Sequence, residues 1–349
     1  MSEKSYKDLV QEIRALKDKL YKINEKEQIS SELNVQVQHK LVDNLANENK
    51  RLKIINKTFR KFVPQQFLDK IAKNGLENIN IDKAEKAKIA ILFSDIRSFT
   101  TISERLQPKD TLKLLNIHFS LFNKIVSKNN GFVDKYIGDE IMALFGESNE
   151  KLSITAFNAI NAGIQMQEIL NMENSNNPSL KLNIGIGVHI GEVIMGTVGS
   201  EDRMDSTVIG NTVNISSRLQ ELTKKYNCKI LISGVTWRIL NKKNHHFLAR
   251  EVDKLHLRGT RKPITIFEIY NNERAEIVKY KKKMQSIYNQ ALNFYYMKNW
   301  NQSMKLFKEC LKINPDDDIV KTHLDICMNE ITKHNLKSVI NKSGRGVAR

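Results

Sequence analysis

Hydrophobic positions recur along this chain with several periods, and the changes of period mark out its parts. From about Ser5 to Phe62 there is no Pro or Gly, and Leu9, Ile13, Leu16, Leu20 and Ile23 are spaced 4, 3, 4, 3, the a/d seam of a coiled coil. Leu41, Leu45, Glu48, Leu52, Ile55, Phe59 and Phe62 keep that spacing with one polar member, and Glu27, Ser30 and Asn34 fill the seam in between. The two series are out of phase near Leu41, a stutter at which a supercoil unwinds locally. Pro64 then suits a helix start and Gly75 a helix end, so residues 63–87 read as a short element coupling the coil to the main domain.

The period next falls to two. Ile89, Ile91 and Phe93 alternate with Ala90, Leu92 and Ser94, a buried strand, and Asp95 closes the row on the face of Ile89, Ile91 and Phe93. Pro108 and Asp110 open a helix carrying Leu112, Leu115, Phe119, Phe122 and Val126 on one side, and Asn129-Asn130-Gly131 stops it. Phe132–Ile137 and Glu140–Phe145 are extended runs joined by Gly138-Asp139, a two-residue hairpin turn with Gly first. A second helix bears Ile154, Phe157, Ile160 and Ile164. Leu182–Ile190 alternates again, Gly191-Glu192 offers another hairpin turn before Val193–Met195, and Arg203–Tyr226 reads as a loop and a helix. Ile230–Ile232, Phe247–Leu257 and Ile264–Tyr270 supply closing strands. Helices alternating with strands, some joined by hairpins, predict an α+β sheet with helices on one side.

Residues 275–335 return to a helical period. Ala291, Phe294, Ser303, Phe307 and Pro315 fit the small, aromatic, small, aromatic, proline order of one tetratricopeptide-like repeat of about 34 residues. A single repeat cannot bury its own face, so it docks on the main domain or on its copy in a dimer, and it is a candidate site for a protein partner. Residues 336–349 form a basic tail.

Composition narrows the setting. Of 349 residues, 56 are basic and 39 acidic, a net charge of +17, which favours anionic partners. Apart from the single Tyr280, no aromatic residues are interleaved with the lysines of 279–283 or of the tail, short of the stacked series of a nucleic-acid groove, so nucleic-acid binding is not expected. No apolar run exceeds five residues, so no transmembrane segment is predicted. The N-terminus is polar and charged. Cys228, Cys310 and Cys327 lack metal or redox spacing, and a reducing, cytoplasmic setting is expected.

The candidate chemistry lies at the strand end and the hairpin tip. Asp95 and Asp139 brought together would repel unless they share cations, and such oxygen-rich sites suit Mg²⁺ or Mn²⁺ completed by phosphate oxygens. Two ions about 4 Å apart can activate an attacking hydroxyl and neutralise a leaving phosphate. Ser98-Phe99-Thr100 stand where a helix begins, with backbone N–H groups placed to hold phosphates. This argues phosphoryl transfer without naming a reaction.

Three segments then carry a resemblance. Phe93-Ser94-Asp95-Ile96-Arg97-Ser98-Phe99-Thr100, Lys135-Tyr136-Ile137-Gly138-Asp139 and Thr207–Arg218 (TVIGNTVNISSR) resemble, in order and spacing, the signature segments of class III nucleotidyl cyclases, over about Lys88 to Tyr270. The resemblance implies a ferredoxin-like catalytic domain at residues 88–271, flanked by the coiled-coil helix (1–62) and a C-terminal helical hairpin. It implies a head-to-tail homodimer with sites across the interface. Asp95, Asp139 and the Ile96 carbonyl would hold two metal ions. Lys135 and Thr207 stand at the positions that read the base, and that pair points to ATP. Asn214 and Arg218 would orient the ribose and stabilise the pentavalent phosphate, their i, i+4 spacing putting both on one helix face. The implied reaction is attack of the ribose 3′-hydroxyl on the α-phosphate, giving cyclic AMP and pyrophosphate.

One departure stands out. Where the family commonly carries a basic residue after the glycine of the late strand loop, this chain has Thr260, flanked by Arg258 and Arg261; either arginine is a candidate for the terminal phosphates. His189 lacks a second ligand at metal spacing and is expected to be structural, and the nearby glycines to serve packing and turns. A guanylate cyclase with unusual base readout and a catalytically inactive cyclase-like scaffold are the alternatives.

Overall fold

The computed structural model describes residues 6–59, 84–146, 150–176, 181–200, 204–240, 245–257, 260 and 262–343. It divides into two units, the first ending at Gln65 and the second running to the C-terminus. The described residues of the first form one helix, α1 (Tyr6–Phe59). Its seam residues Leu9, Ile13, Leu16, Leu20, Ile23, Leu41, Leu45, Leu52 and Ile55 are exposed along it, and Phe62, Pro64 and Gly75 lie outside the described residues.

The second unit keeps the predicted order, with β1 (Ala84–Ile96), α2 (Phe99–Ser103), α3 (Pro108–Lys128), β2 (Gly131–Ile137), β3 (Glu140–Phe145), α4 (Leu152–Asn176) and β4 (Ile184–Gly199). These strands lie in the order β2-β3-β1-β4, all neighbours antiparallel, which is the βαββαβ arrangement of a ferredoxin-like sheet. Beyond them come β5 (Met204–Ile209), α5 (Asn211–Lys225), β6 (Ile230–Ser233), α6 (Gly234–Leu240), β7 (Ala249–Leu255) and β8 (Ile264–Ile269). β6 runs parallel to β4, β8 and β7 extend the sheet, and β5 pairs back on β4.

Three local expectations change. Gly191-Glu192 is no turn: β4 runs straight through it, paired with β1 from Ile184↔Ile96 to Gly196↔Ala84. Gly191 is there because a Cβ would lie 2.4 Å from Thr212 Oγ1, at the start of α5. The segment before α5 is not a loop, since Met204–Ile209 forms strand β5. Nor do the helices share one side. Ile186 meets α4 at Gly163, whereas a Cβ on the adjacent Gly187 would lie 2.3 Å from the Gln220 backbone nitrogen of α5. Successive strand residues face opposite ways, so α4 and α5 cover opposite faces. Gly185, Gly187 and Gly191 leave a bare track that lets the α5 backbone sit close to β4.

The core is built accordingly. Ala90, Leu92 and Ile96 pack with Phe122, Val126 and Ile160 under α3 and α4, and Ile89, Ile91 and Phe93 pack with Met142, Leu144 and Val193 on the face of α5. The C-terminal part is three helices rather than a hairpin, α7 (Ala275–Tyr296), α8 (Trp300–Ile313) and α9 (Asp318–Ser343). The last takes in residues 336–343 of the expected basic tail. Their apolar faces (Tyr288, Ala291, Phe307, Val320) share one core with Leu219 of α5, Leu231 and Ile266. The repeat-like segment therefore docks on its own main domain. A buried ion network seals that seam: Arg250 forks onto Asp317 at 2.7 and 2.9 Å and reaches Glu268 at 2.7 Å, and Lys281 reaches Glu268 at 2.9 Å. No helix among the described residues is long and apolar enough to cross a membrane.

Candidate active site

The strand end and the hairpin tip meet. β2 and β3 turn through Gly138 and Asp139, with Ile137 opposite Glu140 and Gly138 at φ +65°, a backbone conformation glycine adopts without strain. Asp139 is thereby brought beside Asp95, close enough for the two charges to interact. The Ile96 N–H donates to Asp139 Oδ2 at 3.2 Å, so the backbone beside Asp95 fixes the second carboxylate. Burial, and then the hydrogen bond and charge of Asp95, lifts Asp139 to about 6. Glu140, next along the chain, is lifted to about 7 by burial and then by Asp95 and Asp139. A carboxyl group whose ionisation is hindered by an acidic neighbour is suited to a site with a hard cation. Among the described residues no three His, Cys, Asp or Glu side chains converge as a complete metal cage. A divalent ion on Asp95 and Asp139 would fill its shell from the backbone carbonyl of Ile96, water or a phosphate, as magnesium sites commonly do.

α5 supplies the nearest compensating groups. Asp95 shares a face with Gly187 through the β1–β4 register, so it lies under the helix that the glycine track admits. There Lys224 Nζ stands 2.5 Å, and Gln220 Nε2 3.2 Å, from Asp95 Oδ2. Arg97 ties β1 to the end of the same helix, donating to the carbonyls of Thr223 at 2.8 Å and Cys228 at 2.7 Å. Sequence reasoning missed Gln220, Lys224 and Glu140. The first two lie 125 and 129 positions beyond Asp95, and only their i, i+4 spacing on the same helix as Asn214 and Arg218 hinted at them.

Lys135 and Thr207 also meet. β2 carries the lysine and β5 the threonine, and Lys135 Nζ lies 3.1 Å from Thr207 Oγ1. The same ammonium lies 3.5 Å from Asp134 and 3.8 Å from Asp205. Asn214 and Arg218 are exposed on α5, the guanidinium turned to Glu221, so one chain alone offers Asp95 Gln220 and Lys224 rather than these two. Ser98 takes a left-handed φ of 57° ahead of α2. Phe99 packs against the core, while Ser98 and Thr100 are exposed. Arg258 and Arg261 lie outside the described residues; Thr260 between them bonds the Leu257 carbonyl at 2.8 Å. His189 is buried and bonded to Ser233 Oγ at 2.6 Å, a packing role, with burial lowering it to about 4.

A ferredoxin-like sheet with paired aspartates at a strand end and hairpin tip, extended by a lysine–threonine pair and an Asn/Arg helix, defines a nucleotidyl-cyclase type of catalytic domain. The family model for the adenylate and guanylate cyclase catalytic domain matches residues 81–271, and this chain belongs to that family. It is 32% identical over 291 residues to the terminal-differentiation-specific adenylate cyclase of Dictyostelium discoideum, covering 83% of this chain and 14% of that protein. It is 39% identical over 227 residues to an adenylate cyclase of Anabaena cylindrica, covering 63% and 44% respectively. The chain thus spans less than half the length of these curated relatives. A bacterial light-regulated adenylyl cyclase of known structure shares the fold, with a TM-score of 0.58 at 22% identity over 67% of this chain and 66% of that one.

Proposed function

We propose that this protein is an adenylate cyclase, forming 3′,5′-cyclic AMP and pyrophosphate from ATP at sites shared by two copies of the chain. The observation that carries this reading is the contact of Lys135 Nζ with Thr207 Oγ1 at 3.1 Å, in a chain whose Asp95 and Asp139 also converge. An ammonium donates to adenine N1 and a hydroxyl accepts from the N6 amine, a match to the adenine edge. Guanine presents a donor at N1 and an acceptor at O6, which this pair meets less well.

Asp95, Asp139 and the Ile96 carbonyl would hold divalent ions, Mg²⁺ or Mn²⁺, which supply hydroxyl activation and charge neutralisation when bound. Lys135 and Thr207 hold the base, and Asn214 orients the ribose. Arg218 stabilises the charge that grows on the phosphoryl oxygens as the O3′–P bond forms and the bond to the pyrophosphate oxygen breaks. Backbone N–H groups of Ser98, Phe99 and Thr100, with Arg258 or Arg261, bind the remaining phosphates.

The second copy is implied by what one chain leaves open. Asn214 and Arg218 face outward, and the surface near Lys135 and Thr207 carries exposed Tyr136, Ile137, Ile194, Met204 and Ile209. Exposed apolar side chains on the strands that carry the base-reading pair favour a protein interface. The exposed heptad seam of α1 is suited to parallel coiled-coil pairing, and residues 63–87 would couple it to the catalytic domain.

Purified protein is incubated with Mn²⁺ and either ATP or GTP, and the products are separated and identified. Cyclic AMP with pyrophosphate is expected. Cyclic GMP as the preferred product would move the reading to a guanylate cyclase, and no turnover of either nucleotide would leave the scaffold.

A further inference from the structure

Beside the lysine–threonine pair lies a carboxylate for which neither the core nor the two-metal chemistry has a use. Asp134 sits in β2 where the pairing with β3 slips: Val133 faces Ala143 and Lys135 faces Met142, leaving Asp134 as the extra residue of a bulge. Bulges re-aim side chains. Here the slip takes the Asp134 side chain to 0% exposure, and among the described residues neither carboxyl oxygen has a hydrogen-bond partner. An acid in such a place costs stability that a valine or threonine would not. Its ion-pair neighbour is Lys135, 3.5 Å from Oδ2. Burial raises Asp134 to about 6 against the opposing pull of Lys135.

Lys135 has another acid to choose. Asp205 lies 3.8 Å away with its side chain 72% exposed, so it competes for the ammonium through a hydrated carboxylate. Asp134 acts from the fixed, buried side. A charge held in a dry environment directs its partner more strongly than one in water. We propose that Asp134 is a positioning residue for nucleotide selection: its buried carboxylate holds the Lys135 ammonium against Thr207 and so presets the donor–acceptor pair that distinguishes adenine from guanine. This rests on the base-reading role proposed for Lys135 and Thr207.

The test uses the full chain with Asp134→Asn, which keeps the shape and removes the charge, and Asp205→Asn as the comparison. KM and kcat are measured for ATP and GTP with Mn²⁺, and dissociation constants for the non-cyclising 3′-deoxy nucleotides of both bases. Asp134→Asn is expected to raise KM for ATP roughly 10-fold with kcat within about 2-fold, and to lower the ATP-over-GTP ratio by a similar factor, the signature of lost binding rather than lost chemistry. Asp205→Asn should leave the ratio within about 2-fold. In a Lys135→Met background Asp134→Asn should have no further effect on the ratio, whereas a merely structural aspartate would still impair it. Should the asparagine variant not fold, Asp134→Ser carries the same measurements. An unchanged ratio in Asp134→Asn, or an equal loss in Asp205→Asn, overturns the proposal. Wild-type protein that cyclises neither nucleotide would defeat the adenylate cyclase reading alone, since the 3′-deoxy binding ratio still decides the role of Asp134.

Discussion

Two clusters of charge sit at opposite ends of the same packing problem. At the seam with the C-terminal helices, Arg250 and Lys281 face Glu268 and Asp317, two cations against two anions joined by hydrogen bonds of 2.7–2.9 Å. Burial pushes both acids up, yet the neighbouring cations outweigh it and hold Glu268 and Asp317 below the ordinary carboxylate range. At the hairpin tip, among the described residues, Asp95, Asp139 and Glu140 face Lys224 of α5 with Arg97 beside Asp95, three acids against two cations, and Asp139 and Glu140 are raised. A cluster balanced within the chain is architecture, and one left with surplus negative charge is built for a cation from outside. α5 runs between them: Gln220 and Lys224 reach Asp95, and Tyr226 just beyond the helix bonds Asp253 of β7 at 2.5 Å.

This contrast can be broken at either end. The largest effect is expected at the hairpin tip, where Asp95→Ala or Asp139→Ala should lower turnover by at least about 100-fold while thermal melting stays near that of the wild type. Near-full activity in either variant would remove the acid pair from the chemistry. At the seam the opposite pattern is expected. Arg250→Met takes the ion-pair partner from buried Asp317 and leaves Glu268 to Lys281 alone, and should cost roughly 3–5 kcal/mol in denaturant unfolding, with any surviving fold retaining its nucleotide preference.

The pH dependence of the seam has a definite sign. Because the folded pKa values of Glu268 and Asp317 are depressed, their contribution is present above the unfolded carboxylate values of about 4 and is lost as pH falls below them. The excess unfolding free energy of the wild type over Arg250→Met should therefore shrink between about pH 5 and pH 3, the groups common to both proteins cancelling in the difference. Between the clusters, Gly187→Ala forces a Cβ against the backbone of Gln220 and should cost roughly 1–3 kcal/mol, because α5 must lift from β4. The smallest change is expected from Lys224→Met, under about 1 kcal/mol, since that ammonium's side chain is 54% exposed; calorimetry resolves it.

How much of this was legible depended on whether the signal was local. The Gly138-Asp139 turn, the strand ending at Asp95 and the helix opened by Pro108 were readable because each is written in adjacent residues. Gly191-Glu192 has the same local form as the hairpin turn, yet its glycine answers to Thr212, a contact that no window around residue 191 contains. Strand β5 was missed because Met204-Asp205-Ser206-Thr207 mixes polar and exposed residues at the outer side of β4. The seam joins residues 67 positions apart, so the docking of the repeat-like helices stood between two possibilities until the fold decided it. Asn214 and Arg218 became candidates only through the family resemblance, since each alone reads as a solvated position on a helix.

The proposed chemistry requires one copy to bring the paired aspartates and the other to bring Asn214 and Arg218. It is tested most directly by mixing inactive Asp95→Ala and Arg218→Ala proteins under conditions that let dimers exchange, and measuring cyclic nucleotide formation. A heterodimer then holds one intact site, and activity should return to about a quarter of the wild-type value in an equal, fully exchanged mixture. A mixture that exchanges subunits, verified by differently tagged copies, and yet stays inactive would contradict a site shared between copies.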